Sequence, residues 1–316
     1  MNHTIYHMNF LQAVVIGLLQ GISELFPVSS LGHTVLVPSW IGGNWATLVR
    51  QESEAESPYL AFVVGLHLAT AVVLVGFYAR EWGRLVAGFF RSLGRRRAVT
   101  DEERLAWLIV VATVPVGALG LVFEHQFRVL FAKPVAAAAF LMVNGVILLA
   151  GELRRCRQHS GGGPVPVPPA AQGHQDGRIV PMDLAAEAEL SRIGVLSAAV
   201  IGASQALALL AGISREGVAM VGGLFRGLNN ENAMRFSFLL STPVIFAAGA
   251  LKVPDLFGPL GNGIRPQVVA GSAAAVVASL FAVVFLSRYF KTRTLLPFAI
   301  YSFVFGLASV VRFGVF

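Results

Sequence analysis

Six apolar runs dominate the chain, at about 59–79, 105–123, 134–151, 236–252, 267–287 and 295–315, each near the ~20 residues that cross a bilayer core as a helix. No water-soluble core could absorb them, since 55% of the 316 residues are hydrophobic, only 13% are charged, and the mean hydropathy is +0.70. A bilayer offers no partner to backbone groups outside helices and closed barrels, so the chain reads as an all-α polytopic membrane protein. Residues 1–9 hold no Lys or Arg and no small-residue cleavage site follows, so the first apolar stretch is expected to stay in the mature protein.

Two further apolar stretches, 10–43 and 193–231, are broken by Gly, Pro, Ser and charge. Within them VIGLLQGISELFPVSSLG (15–32) and VIGASQALALLAGISREG (200–217) align without gaps. They match at Val15/Val200, Ile16/Ile201, Gly17/Gly202, Gln20/Gln205, Leu25/Leu210, Ser29/Ser214 and Gly32/Gly217. Each copy precedes three apolar runs, and an odd number of crossings per half turns the second half over. The expected architecture is an inverted repeat of a re-entrant helix pair plus three transmembrane helices per half. The halves are residues 1–151 and 193–316 of a single membrane domain, joined by a flexible cytoplasmic loop, 152–192, whose GGGPVPVPPA stretch cannot build a core.

Loop charge supports this topology independently. Loops 80–104, 152–192 and 288–294 hold 7, 5 and 3 Lys or Arg, whereas 38–58, 124–133 and 252–266 hold 1, 2 and 2. The positive set is therefore expected in the cytoplasm, which requires each broken unit to enter and leave by one face. Non-helical backbone at membrane depth must line a protein-walled cavity, so the turns at Pro27–Ser30 and Gly212–Glu216 are expected to meet near the midplane.

The meeting turns would pool Gln20, Glu24, Ser29, Ser30 and His33 with Gln205, Ser214, Arg215 and Glu216. Gln20 and Glu24 share a helix face, hydroxyls and backbone amides at a helix start suit an anion, and the Arg215 fork matches phosphate oxygens. Base, hydroxyl, imidazole and guanidinium together fit phosphoryl chemistry on a membrane-borne anion. The plainer alternatives are an ion pair between Glu24 and Arg215 that clamps the repeats, glutamines acting as hydrogen-bonding glue, and His33 as a helix cap. His67, His125, His159 and His174 have no comparable polar setting. No metal-ligand spacing, phosphate loop, dinucleotide fingerprint or GxSxG elbow is present in the sequence. Cys156, flanked by Arg154, Arg155 and Arg157, reads as a cytoplasmic-side thiol. The net charge of +7 sits in loops, where orientation and anionic lipid explain it better than nucleic acid does.

At these residues the chain resembles the undecaprenyl-diphosphate phosphatase family, known for bacitracin resistance, over nearly its whole length. Gln20, Glu24, Pro27, Val28, Ser29, Ser30, Gly32 and His33 meet its first signature, E/Q-x-x-x-E followed by F/L-P-V-S-S-x-G-H. Gly212, Ser214, Arg215 and Gly217 meet its second, P-G-x-S-R-S-G, and FSFLLSTPVIFAAG and LPFAIY are also similar to family sequence. The resemblance implies hydrolysis of a polyprenyl diphosphate to its monophosphate in the bacterial plasma membrane, recycling the lipid carrier of cell-wall assembly. It implies that Glu24 serves with a divalent cation, magnesium or calcium, or as base, that Arg215 holds the diphosphate, and that Ser30 and His33 divide nucleophile and proton-transfer roles. Gln20, Ser29, Gln205, Ser214 and Glu216 are expected to contact substrate. The expected partners are the polyprenyl lipid and the bilayer, with no nucleic acid, and with homo-oligomer formation left open. Ala211 and Glu216 depart from the second signature, which leaves cyclisation or prenyl transfer in the same pocket, or flipping of the lipid phosphate, as alternatives.

Overall fold

A computed structural model describes residues 8–52, 58–131, 133–160, 184–258 and 261–314. Its described residues are helical with short connections: α1 (Phe10–Leu25), α2 (Ser30–Ile41), α3 (Asn44–Glu52), α4 (Pro58–Phe77), α5 (Ala79–Arg95), α6 (Asp101–Phe131), α7 (Pro134–Ser160), α8 (Leu184–Ser191), α9 (Val195–Ser204), α10 (Arg215–Phe225), α11 (Asn230–Phe257), α12 (Arg265–Tyr289) and α13 (Leu296–Gly314). A short 3-10 segment, Gln205–Leu209, continues α9. Five helices, α6, α7, α11, α12 and α13, are long and apolar enough to cross a membrane, and α4 with α5 forms a bent apolar pair, so all six apolar runs of the sequence fall on helices.

The two broken stretches form helices too short to span alone. At 1.5 Å per residue, α1 (16 residues) and α2 (12 residues) fall short of a ~30 Å bilayer core, as do α9 (10 residues) and α10 (11 residues). α1 starts at a capping box, in which Asn9 Oδ1 accepts the Gln12 N–H at 2.8 Å and the Asn9 N–H reaches Gln12 Oε1 at 3.0 Å. It stops at Phe26 because Pro27 disfavours helical backbone in the residue before it, and Phe26 is extended (φ −70°, ψ 141°).

Packing exchanges elements between the two parts of the chain. α1 lies along α12 and α9 along α6, while α4 packs on α11 and α7 on α13. The α1–α12 approach needs Gly17, where a Cβ would stand 2.2 Å from the Gly271 carbonyl oxygen. Its repeat partner Gly202 is equally constrained, 2.0 Å from the Ala112 carbonyl oxygen on α6. Close backbone approach through small residues is how helices associate where lipid supplies no hydrophobic drive. Phe62, Phe236 and Phe238 are fully buried between the spans.

Several segments read as loops are more ordered than the sequence suggested: α3 lies inside 38–58, and α6 runs on through 124–131. Most of 80–104 is α5, set at 85° to α4. Leu85, Gly88 and Ser92 face the protein, Arg80, Arg91 and Arg95 form a second side, and Val86, Phe90 and Leu93 are exposed on a third. Such a three-sided pattern lowers mean hydropathy and so conceals the helix. The 152–192 segment is also helical at both ends. α7 continues to Ser160, with Glu152 accepting from Arg155 and from the Leu295 N–H at 3.1 Å. α8 is tied down by contact of Glu187 with Arg84, by Ser191 to Asp101 at 2.7 Å and by Asn232 to Glu189 at 2.5 Å. Residues 161–183, including the GGGPVPVPPA stretch, lie outside the described residues. Cys156 is exposed near the end of α7.

Candidate active site

The repeated Ser and Gly residues build the two turns in the same way. Ser29 caps α2 by accepting the Gly32 N–H at 3.2 Å, and Ser214 caps α10 by accepting the Gly217 N–H at 3.0 Å. A serine oxygen that takes an amide of the first helical turn satisfies a donor the helix itself cannot. Ser30 and Arg215 are thus the first residues of two helices whose N-termini face one another. The turns touch directly, because Ser29 Oγ also accepts the Gly212 N–H at 3.1 Å. Gly212 adopts φ +116°, a region closed to most side chains, and a Cβ there would stand 2.3 Å from the Ala137 carbonyl oxygen. Ser29 itself has φ +71°, so its strained backbone is held by these two bonds.

Glu24 is the centre of the polar cluster. It is 3% exposed, and its Oε2 accepts from Gln20 Nε2 at 3.0 Å and from the Ser30 hydroxyl, and lies 3.2 Å from His67 Nε2. Arg215 and Glu24 make no ion pair among the described residues; the basic partner of Glu24 is His67, from α4. The clamp considered from sequence is therefore not formed, and the histidine set aside there is the one at the site. His33 turns away from Ser30. Its Nδ1 is 2.7 Å from the Ser29 carbonyl, which can only accept, so Nε2 is left to accept the Tyr301 hydroxyl at 2.8 Å.

Glu24, Ser29, Ser30, Leu31, Ala208, Ile213, Arg215 and Glu216 line one cavity with room for little more than a single water-sized molecule. Two buried groups in it have unused capacity, Nη1 of Arg215 and Oε1 of Glu216. Gln205 is 1% exposed and neither of its amide atoms is paired among the described residues, and the same is true of Gln20 Oε1. Buried polar atoms without partners are costly and call for an explanation, and a polar ligand is one. Two helix N-termini and a guanidinium are groups that can hold an anion, beside a hydroxyl bonded to a carboxylate.

Residues 13–308 match the family described as Bacitracin resistance protein BacA. The chain belongs to the BacA family. It is 54% identical to an undecaprenyl-diphosphatase of Mycolicibacterium paratuberculosis over 305 residues, covering 96% of this chain and 97% of that protein. It is 50% identical to undecaprenyl-diphosphatase 2 of Frankia alni over 341 residues (98% and 99% covered), and 37% identical to undecaprenyl-diphosphatase 2 of Chromobacterium violaceum over 309 residues (96% and 99%). With bacterial relatives of this kind and five long apolar helices, it is a multi-pass protein of the bacterial plasma membrane.

Within this BacA chain, three site residues escaped the sequence reading. Asn144, fully buried on α7, donates to the Pro27 carbonyl at 2.9 Å and to Ser302 at 3.3 Å, and accepts the Ser214 N–H at 3.0 Å, so one side chain holds both turns. His67 and Tyr301 are the others, each on a helix that reads as a plain span. Only the polar group in an apolar run could have flagged them, a property that Asn144, His67 and Tyr301 share.

Among the described residues no three His, Cys, Asp or Glu side chains group as a metal cage. Magnesium is commonly held by one or two carboxylates and completed by phosphate oxygens and water, and the bare Oε1 of Glu216 is a suitable donor. Of the Glu24 carboxylate, Oε2 is engaged by Gln20, Ser30 and His67.

Proposed function

We propose that this protein hydrolyses undecaprenyl diphosphate to undecaprenyl phosphate and inorganic phosphate, returning the lipid carrier to cell-wall assembly. The observation behind this is the bond from the Ser30 hydroxyl to Glu24 at the start of α2, across a small cavity from Arg215. Near-full-length identity to undecaprenyl-diphosphatases supports the same reaction.

In this reading Glu24 takes the Ser30 proton as Oγ attacks the terminal phosphorus. The bond from that phosphorus to the bridging oxygen breaks, and polyprenyl phosphate leaves on that oxygen. Water then displaces Ser30 Oγ from the phosphoserine, Glu24 gives its proton back to that oxygen, and inorganic phosphate leaves carrying both protons of the water. Arg215 Nη1 and the N-termini of α2 and α10 balance charge on the phosphate oxygens. Glu216 would hold a magnesium or calcium ion together with the diphosphate, and such an ion would offset the negative charge of the phosphate oxygens. Because the cavity is smaller than a diphosphate, binding widens it.

The inverted repeat forms part of the proposal. Residues 1–151 and 193–316 are read as two oppositely oriented halves, with α1/α2 and α9/α10 as re-entrant pairs. The exchanged packing of α1 on α12 and α9 on α6, and the paired crossings at Gly17 and Gly202, support it.

The test uses purified protein in detergent with undecaprenyl and farnesyl diphosphates, with and without magnesium or calcium, and resolves the products. Inorganic phosphate and the prenyl monophosphate are expected, and Ser30→Ala is expected to lower the rate by about 10²–10⁴-fold. Release of pyrophosphate would identify carbon–oxygen cleavage instead, and an unaltered diphosphate moved between leaflets would identify a flippase.

A further inference from the structure

We infer that His67 is a positioning residue for Glu24: its Nε2–H holds the carboxylate oxygen that faces Ser30. The inference rests on the diphosphatase reading and extends it to a residue on a different helix. His67 lies on α4, and its Nδ1 is 2.9 Å from the carbonyl of Val63 one turn earlier. A carbonyl only accepts, so Nδ1 carries a hydrogen and the ring plane is set by its own helix. This leaves Nε2 aimed at Glu24 Oε2, 3.2 Å away.

Oε2 is also the atom that receives the Ser30 hydroxyl and the Gln20 amide. Three donors from three directions fix one oxygen, and that oxygen is the one proposed to take the Ser30 proton. The ring is thus held at both ends, by the Val63 carbonyl behind it and by the Glu24 carboxylate ahead of it, and it cannot turn without losing both contacts. Glu24 lines the cavity whereas His67 does not, so the contact from His67 to the cavity runs through Glu24. A ligating histidine held by a backbone carbonyl at its other nitrogen follows the same logic of orientation from behind.

The experiment compares His67→Leu, His67→Asn and His67→Gln in the purified full-length protein, with phosphate release from undecaprenyl diphosphate and thermal denaturation measured together. Gln keeps an N–H donor long enough to approach Oε2, Asn has the same amide one methylene too short, and Leu has none. The expected result is a roughly 10- to 100-fold lower kcat for Asn and Leu at unchanged KM, with Gln restoring most of the rate. In a Glu24→Gln background the same His67 changes should have little further effect, because residues acting as a unit are not additive. Should Leu fail to fold, the Asn and Gln pair decides alone. Wild-type rates in all three variants overturn the inference, as does a change in KM alone, which would put His67 on the substrate. A loss that follows denaturation temperature and is not restored by Gln also overturns it. No phosphate from the wild-type protein would refute the diphosphatase reading itself, whereas wild-type activity with indifferent His67 variants refutes only the positioning role.

Discussion

Ser29 Oγ accepts the Gly212 N–H across 3.1 Å, joining two turns separated by 183 residues of chain. The same oxygen caps α2 through Gly32. One hydroxyl therefore both starts a helix and brings the two halves of the cavity together.

Ser29 and Ser214 consequently differ, although they occupy matching repeat positions. Ser29→Ala should lower the thermal midpoint in detergent and the turnover rate, at a cost of about 1–3 kcal/mol for the buried amides left unpaired. Ser214→Ala loses only a cap, worth roughly 0.5–2 kcal/mol, and should be the milder of the two. Equal losses in a side-by-side melt would show that the contact between the turns adds nothing.

Asn144→Leu should be more damaging than its conservative volume suggests. It strands the Pro27 carbonyl and the Ser214 N–H, both buried at the turns, for about 1–3 kcal/mol each. Turnover should fall with stability, since both turns border the cavity. Asn144→Asp, which keeps the acceptor for Ser214 but not the donor for Pro27, should lie between. A Leu variant with wild-type melting and rate would remove Asn144 from the site.

Arg215→Lys should lose more than about tenfold in kcat/KM, because an ammonium cannot present two N–H groups in the plane of a phosphate. Glu216→Gln should weaken the dependence on magnesium or calcium without abolishing folding, as the amide oxygen is a poorer ligand for a hard cation. Rates measured across a cation titration check both. Unchanged cation dependence in Glu216→Gln would move the ion elsewhere.

Thiol labelling tests orientation. Cys156 is exposed near the end of α7 on the arginine-rich side and should react with an impermeant maleimide only from the cytoplasmic face. Asn44→Cys, at the exposed first residue of α3 on the opposite side of the expected topology, should react from outside. Reversed accessibility would overturn the orientation while leaving the packing intact.

Much of this molecule is determined by sequence alone, because the operative rules are local. Apolar length places the spans, Pro27 ends α1, and the Ser-x-x-Gly spacing at Ser29/Gly32 and Ser214/Gly217 starts α2 and α10. The repeat marks the residues of both turns, since one capping solution is used twice. The tertiary structure alone decides which side chains meet. His67, Asn144 and Tyr301 sit on helices whose periodicity reports only burial, and nothing local distinguishes a buried histidine facing lipid-side packing from one facing Glu24. α5 was lost for a related reason, since alternating arginines and apolar residues average to a loop-like hydropathy while forming a coherent face in three dimensions. The role of His33 was equally hidden. Its closeness to Ser30 in sequence suggested a pair, but at three residues along a helix the ring direction is set by the Ser29 carbonyl behind it and by Tyr301 on α13, and both draw it away from the cavity.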